Sequence, residues 1–201
     1  MYGIGDLPAY GWAILIVVVM ALAASATWLL WRGREPHIPN GFSHTASRGR
    51  YKITTVIQYR DHGDLEKISH ACALAVWAAG RAWAAVKKSP DDEIEHVCVY
   101  FTDDDLFEQH RFRELRKAVA FLVYTGANVG AGIPMAVIRA SIVPEVLATG
   151  EPVIHEMLHA LLGQSSEPDK DRDHSDAAVW AANGGGVQLM ARGLYKKNAA
   201  A

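Results

Sequence analysis

The chain is poor in cysteine and in net charge, and each shortage excludes a class of protein. Its 201 residues contain only two cysteines, Cys72 and Cys98. They cannot form the disulfide framework of a small secreted scaffold, and their spacing is no zinc-finger pattern. The 20 Lys and Arg residues stand against 22 Asp and Glu residues, so the formal net charge is −2. Because nucleic-acid-binding domains normally carry a basic field, we expect no nucleic-acid partner.

Internal repeats and low-complexity tracts are also lacking, and the composition is that of a folded protein. Hydrophobic residues make up 50% of the chain and charged residues 21%, which excludes a wholly disordered chain. The length allows one domain with a full core, or one domain and an anchor. The hydrophobic residues are spread unevenly, and this unevenness points to the second arrangement.

Residues 9–31 contain no charged side chain. As a helix this run would be about 34 Å long, enough to cross a hydrocarbon core of roughly 30 Å. Tyrosine and tryptophan residues lie near both of its ends, as they do in membrane-spanning helices at the interface with water. The sequence therefore predicts a transmembrane helix over residues 9–31, preceded by a short tail at residues 1–8.

A cleaved signal peptide is the alternative interpretation of this run, because Ala24, Ser25 and Ala26 would suit a signal peptidase. The absence of Lys and Arg before the run, and its continuation past that site, favour a retained anchor. Arg32 and Arg34 follow the run, and their positive charge predicts a single-pass membrane protein with its domain in the cytoplasm. With a cleaved signal the domain would be extracytoplasmic or secreted.

Gly, Pro, Ser and Arg are frequent in residues 32–50, which predicts a linker between the anchor and a domain at residues 51–201. The hydrophobic patterns of that domain predict an α+β fold with a small mixed sheet and a late active-site helix. The segment at 118–125 could be a strand or the end of the preceding helix. The predicted elements are strands at 51–59, 95–102, 118–125 and 135–141, a helix at 65–88, a helix that starts at Pro144 or at Glu151 and ends at Leu162, and a last, interrupted helix between 175 and 197.

The segment from His155 to His159 has the pattern HExxH within an apolar run. Two residues four positions apart lie on one face of a helix, so both imidazoles can bind one metal ion. Glu156 projects about 100° away from His155 around the helix, which directs it toward a bound water rather than into the ligand shell. Burying these polar groups is costly unless they have a function. We therefore expect one zinc ion with Glu156 as general base, the alternative being a chance match in ordinary core histidines.

A catalytic zinc ion commonly has three protein ligands and one water, so a third ligand must come from elsewhere in the chain. His174 is the candidate because it is a nitrogen donor and because the polar residues 164–173 can form a loop that returns it to the metal. Asp173 and Asp176 are alternative ligands, or one of them orients an imidazole from outside the ligand shell. Glu167 is a more remote alternative.

These residues resemble the metzincin clan of zinc metallopeptidases, whose pattern is HExxHxxGxxH followed by a methionine turn. The HExxH residues match its first part, whereas Gly163 lies one position later than the clan's glycine. His174 lies nine positions later than the clan's third histidine. His174 and Ser175, followed by Val179 and Trp180, are similar to the endings of compact bacterial or phage zincins. Trp180 stands where the methionine is expected, so the methionine turn is absent or replaced.

The resemblance covers about residues 51–182 and implies a zincin-like fold and the hydrolysis of peptide bonds in a protein or peptide substrate. Glu156 would accept the proton of the attacking water and deliver it to the leaving amine. A strand ahead of the active-site helix would be an edge strand to which an extended peptide adds. The residues of this strand are Met135, Ala136, Val137, Ile138 and Arg139.

The sequence as a whole thus predicts a membrane-anchored zinc metallopeptidase. The alternative is a non-catalytic anchored module, in which the zinc site is structural or a degenerate zincin is used for binding.

Overall fold

The chain divides into two compact units, Met1–His37 and Ile38–Ala201. In the first unit the structure describes a short helical segment whose side chains are exposed. The computed structural model describes residues 17–20, 41–58, 64–88, 94–103, 119–125, 132–163, 174, 176–181 and 185–200.

The structure corrects the prediction of a transmembrane helix over residues 9–31. Within the described ranges, no helix is both long enough and apolar enough to cross a membrane. Of residues 9–31, the structure describes only a helical segment at 17–20. The rest of the run lies outside the described residues. The predicted single-pass membrane localisation is corrected with it.

The second unit has the α+β fold that the sequence predicts, with one mixed sheet. Its strands are β1 (Phe42–Arg48), β2 (Tyr51–Ile57), β3 (His96–Thr102), β4 (Ala120–Thr125) and β5 (Ile133–Arg139). Its described α-helices are α1 (Leu65–Lys87), α2 (Val143–Thr149), α3 (Glu151–Leu161) and α4 (Gly186–Ala199), and a 3-10 turn at Ala140–Ile142 precedes α2.

The strand order in the sheet is β1-β2-β3-β5-β4. The three middle strands are parallel, and β1 and β4 are antiparallel to their neighbours. The prediction that β5 is an edge strand is therefore wrong, because β5 pairs with β3 on one side and with β4 on the other. A strand whose backbone groups are paired on both sides cannot add a peptide. The correction applies to all five predicted substrate-binding residues, Met135, Ala136, Val137, Ile138 and Arg139.

Strand β1 lies within residues 32–50, where the composition predicts a linker. Only Ala46 of this strand is buried. A two-residue turn at Gly49 and Arg50 joins β1 to β2, so that the two strands form a hairpin. A polar strand with one buried residue lacks the hydrophobic alternation that identifies strands in a sequence. The sheet therefore begins nearer to residue 42 than to residue 51.

Helices α1 and α3 pack on one face of the sheet, and α4 packs on both helices. Asp64 directly precedes α1 and caps it. Its carboxylate accepts a hydrogen bond from the backbone N–H of Lys67 at 3.0 Å. Small alanine side chains along α1 allow the neighbouring elements to approach closely. The main core lies between helices and sheet, and it includes Ile53, Phe101, Ile138, Ala75, Ala79, Ile154 and Leu158.

A sharp corner at Gly150 separates α2 from α3 and sets the direction of α3. Gly150 has a φ of 66°, in the left-handed region that favours glycine. A Cβ atom there would lie 2.5 Å from the ring of Tyr195 on α4. The Tyr195 hydroxyl donates a hydrogen bond to the carbonyl of Val146 at 2.8 Å. Helix α4 therefore holds the corner from which α3 starts, and the helix predicted to begin at Pro144 or Glu151 is two helices.

Candidate metal centre

Helix α3 places His155 and His159 on one face, as the HExxH spacing predicts. Apolar residues of the same helix, Val153, Ile154 and Leu158 among them, are buried in the core and fix its rotation about its axis. The Nε2 atoms of the two histidines are 3.2 Å apart. Both side chains are half-buried, so α3 presents two accessible nitrogen donors on one face.

The third predicted ligand lies beside this pair. The Nε2 atom of His174 is 3.1 Å from the Nε2 atom of His155. His174 has a φ of 51°, which is uncommon for a residue with a side chain and costs on the order of 1–3 kcal/mol. Strain of this kind persists only where the surrounding structure holds it. The backbone conformation at His174 is therefore part of what directs its ring toward α3.

The three histidines form a group whose ligand atoms all lie within 4.8 Å of one another. Around a tetrahedral zinc ion with Zn–N distances of about 2.0–2.1 Å, ligand nitrogens are roughly 3.3 Å apart. The observed 3.1 and 3.2 Å separations are close to that spacing. A neutral imidazole nitrogen has either one proton or one lone pair, so the Nε2 atom of His155 cannot make an ordinary hydrogen bond to both neighbours. The arrangement fits a shared metal ion better than a hydrogen-bond network.

Electrostatics keep the His155 ring in the form that binds metals. Burial lowers the pKa of His155 to about 3, and electrostatic interactions with His159, His174 and Arg192 add to this shift. The ring is therefore neutral at physiological pH. Metal ions bind neutral imidazoles, so no proton has to leave His155 first.

Glu156 is buried, with an exposed fraction of 3%. Among the residues that the structure describes, its Oε2 atom has no hydrogen-bond partner. Burial raises the pKa of Glu156 to about 8. A buried carboxyl oxygen without a hydrogen-bond partner is costly, which makes Oε2 of Glu156 a candidate for interaction with a ligand that the protein alone does not supply. A water molecule bound to a metal ion that the three nitrogens hold would be such a ligand. The three histidines and Glu156 therefore have the chemistry of a hydrolytic metal site.

Trp180 packs against all three histidines. The centroid of its ring system is 4.9 Å from that of His155, 4.7 Å from that of His159 and 4.5 Å from that of His174. Its side chain is buried, with an exposed fraction of 1%. Trp180 therefore provides an apolar surface against which the three histidine rings pack. The sequence marks this residue only as a replacement for an expected methionine, and its contact with the three rings depends on the fold.

Backbone contacts fix Trp180 in this position. Its N–H donates to the carbonyl of Asp176 at 3.0 Å, and its carbonyl accepts from the N–H of Gly185 at 2.8 Å. A Cβ atom on Gly185 would lie 2.4 Å from both the N and the O atoms of Trp180. Only glycine allows so close an approach, so Gly185 has a structural purpose that the sequence does not reveal.

Asp176, an alternative ligand in the sequence, contacts a lysine instead. Its Oδ2 atom is 2.8 Å from Nζ of Lys87 at the end of α1, and its Oδ1 atom accepts from the N–H of Ala178 at 2.9 Å. The hydrogen bond from Lys87 is the main reason that the pKa of Asp176 is lowered. Asp176 thus ties the segment after His174 to α1. The other two alternatives, Asp173 and Glu167, lie outside the described residues.

Comparison with protein-family models, with curated proteins and with solved structures finds no match to this chain. The functional interpretation therefore depends on the geometry of the site.

Proposed function

We propose that the chain is a zinc-dependent peptidase that hydrolyses peptide bonds in proteins or peptides. The observation that supports this function is the convergence of three imidazole nitrogens. Glu156, the residue after His155, is buried, and its Oε2 atom has no hydrogen-bond partner among the described residues. The zincin resemblance of the sequence points in the same direction.

His155, His159 and His174 would hold the ion. When bound, zinc lowers the pKa of a coordinated water and polarises a carbonyl oxygen. Trp180 lies against the three rings and excludes water from that side of the site. The half-buried faces of the histidines leave the other side accessible to a substrate.

Glu156 is the proposed general base. Burial alone raises the pKa of Glu156 to about 8, and a zinc ion held by the three histidines would favour its ionised form. In that form its Oε2 atom can accept the proton of a water molecule that attacks the peptide carbonyl. The same carboxyl group then donates this proton to the nitrogen of the leaving amine when the carbon–nitrogen bond breaks. The proton returns from the glutamate, so the residue is regenerated at the end of each cycle. A structural zinc site would have no need of this carboxylate.

The first test measures the metal. The purified protein is expected to contain about one zinc ion per chain, as measured by inductively coupled plasma mass spectrometry. Substitution of His159→Ala should lower this content to near zero because it removes one of three ligands. His70→Ala is the matched control, since the Nδ1 atom of His70 is 2.8 Å from a carbonyl oxygen of its own helix. A wild-type protein that takes up no zinc, even from an excess, would refute the proposal.

The second test separates catalysis from metal binding. Glu156→Gln should reduce kcat for a fluorogenic peptide mixture by about 10²–10⁴-fold, the usual contribution of a general base, while zinc content stays unchanged. Glu95→Gln, at an exposed position before β3, is the matched control and should keep full activity. Equal peptide hydrolysis by the Glu156→Gln variant and the wild type would show that Glu156 is not the base. Zinc binding without any hydrolysis by the wild type would identify a structural site.

A further inference from the structure

Gln188, on α4, has a buried side chain with an exposed fraction of 5%. Its Oε1 atom accepts a hydrogen bond from the N–H of Ala181 at 2.8 Å. Its Nε2 atom donates a hydrogen bond to Oε1 of Glu151 at 2.6 Å. The backbone N–H of Gln188 also donates to the carbonyl of Val179 at 3.0 Å. One residue thus contacts two separate parts of the chain.

These two parts are the two components of the metal centre. Glu151 is the first residue of α3 and lies one helical turn before His155. Val179 and Ala181 are the chain neighbours of Trp180, whose ring touches all three histidines. Gln188 therefore connects α3, the helix of His155 and His159, with residues 179–181, the segment that contains Trp180.

The Glu151 end of this connection is itself held in place. Arg192 on α4 approaches both carboxylate oxygens of Glu151, with its Nε and Nη2 atoms each at 2.5 Å. Paired contacts of this kind fix orientation as well as distance. Glu151 consequently presents one oxygen to Gln188 in a defined direction, and α4 contributes both partners.

We propose that Gln188 is a positioning residue of the metal centre, which sets the distance between α3 and the Trp180 segment through Glu151 and Ala181. The inference rests on the proposed metal site. Gln188 does not touch the ligands, so it acts on the cluster through Trp180 and the backbone that flanks it. Residues that orient ligands from outside typically change metal affinity by 10–100-fold when they are mutated.

The test replaces Gln188 with leucine, which has a similar volume but neither hydrogen-bonding group. The Kd for Zn²⁺, measured by competition with a chromophoric chelator, should rise by about 10–100-fold. The visible absorption spectrum of the Co²⁺-substituted protein should also change in intensity, because it depends on ligand geometry. Gln58→Leu is the matched control: Gln58 accepts a hydrogen bond from Tyr100 near the end of β2, and its loss should leave metal affinity and spectrum unchanged.

An exchange of partners provides a second, independent variant. In Gln188→Glu the new carboxylate can still accept from Ala181, but it faces the carboxylate of Glu151 and should weaken metal binding. In the double variant Gln188→Glu with Glu151→Gln, the donor and the acceptor between the two residues are interchanged. We expect the double variant to bind Zn²⁺ more tightly than Gln188→Glu alone. The Co²⁺ spectrum of the double variant should also return toward that of the wild type, which a recovery of stability without a change in ligand geometry would not produce.

The outcomes distinguish this inference from the proposed function. A wild-type Kd and Co²⁺ spectrum in Gln188→Leu would overturn the positioning role and leave the metal site standing. The absence of any recovery in the double variant would also overturn it. Failure of the wild type to bind Zn²⁺ or Co²⁺ would overturn the metal site and the positioning role together.

Discussion

Truncation of Trp180 should affect both the stability of the fold and its response to metal. The side chain is 1% exposed and belongs to the main core. Replacing a buried aromatic residue by alanine costs about 3–5 kcal/mol of unfolding free energy, because transfer and cavity terms add. A domain of this size loses roughly 2–4 °C of melting temperature for each kcal/mol. Trp180→Ala should therefore melt about 6–20 °C below the wild type when metal is absent.

The metal response provides the more specific part of the prediction. Zinc at 1,000 times its Kd stabilises a protein by about 4.1 kcal/mol. Trp180 packs against the rings of all three histidines that would hold the ion, so we expect its loss to weaken zinc binding at least tenfold. A tenfold weaker Kd removes about 1.4 kcal/mol of that stabilisation at the same zinc concentration. Trp180→Phe keeps an aromatic ring and should lose less on both counts.

Urea denaturation with a chelator and with excess zinc measures both quantities. Trp77→Ala is the matched control, since Trp77 is half-buried on α1 and its ring packs under the guanidinium group of Arg48 at 5.0 Å. This control should lose less unfolding free energy than Trp180→Ala, and excess zinc should stabilise it as much as it stabilises the wild type. A Trp180→Ala variant within about 1 kcal/mol of wild-type stability would contradict the burial argument. An unchanged zinc effect in that variant would contradict its role beneath the ligands.

Three further predictions concern two glycines and the two cysteines. Gly185→Ala should destabilise the protein by about 1–3 kcal/mol in chemical denaturation, because the new Cβ would collide with the Trp180 backbone. Gly193→Ala, in α4 with no atom within 4 Å of the new Cβ, should stabilise it by about 0.5–1 kcal/mol, and a loss at Gly193 would contradict this. Burial raises the pKa of both Cys72 and Cys98 to about 12, so at pH 8 iodoacetamide should modify them only after unfolding; rapid labelling of the native protein would refute this.

The parts of this molecule that depend on local sequence could be predicted. Helix α1 was expected at 65–88 and occupies Leu65–Lys87, because its capping aspartate and its apolar spacing are both local signals. The juxtaposition of His155 and His159 follows from helix geometry alone. His174 could be proposed from its chemistry, although its approach to His155 depends on a backbone conformation that no spacing reveals.

The parts that depend on distant contacts could not be predicted. The interior position of β5 arises because β4 folds back to its outer side, and a sequence does not specify which neighbour a strand takes. Strand β1 joins the sheet through backbone hydrogen bonds and buries only one side chain, so its sequence lacks the hydrophobic alternation that would predict a strand. Trp180 contacts the three histidines from a separate segment. Gln188, on a separate helix, hydrogen-bonds to Ala181 and Glu151. Neither an apolar nor an amide side chain has a sequence motif of its own. The transmembrane prediction rested on the length of an uncharged run and on the aromatic residues near its ends.

The place of His174 in the chain has a consequence for how a bound ion would be lost. Two of the histidines belong to a helix embedded in the core, whereas the third precedes a segment, residues 176–181, that buries Val179 and Trp180 in the same core. Displacing this segment would leave two nitrogen donors, too few to retain an ion, and would expose both of those side chains to water. Release of metal and loss of core packing would then occur together.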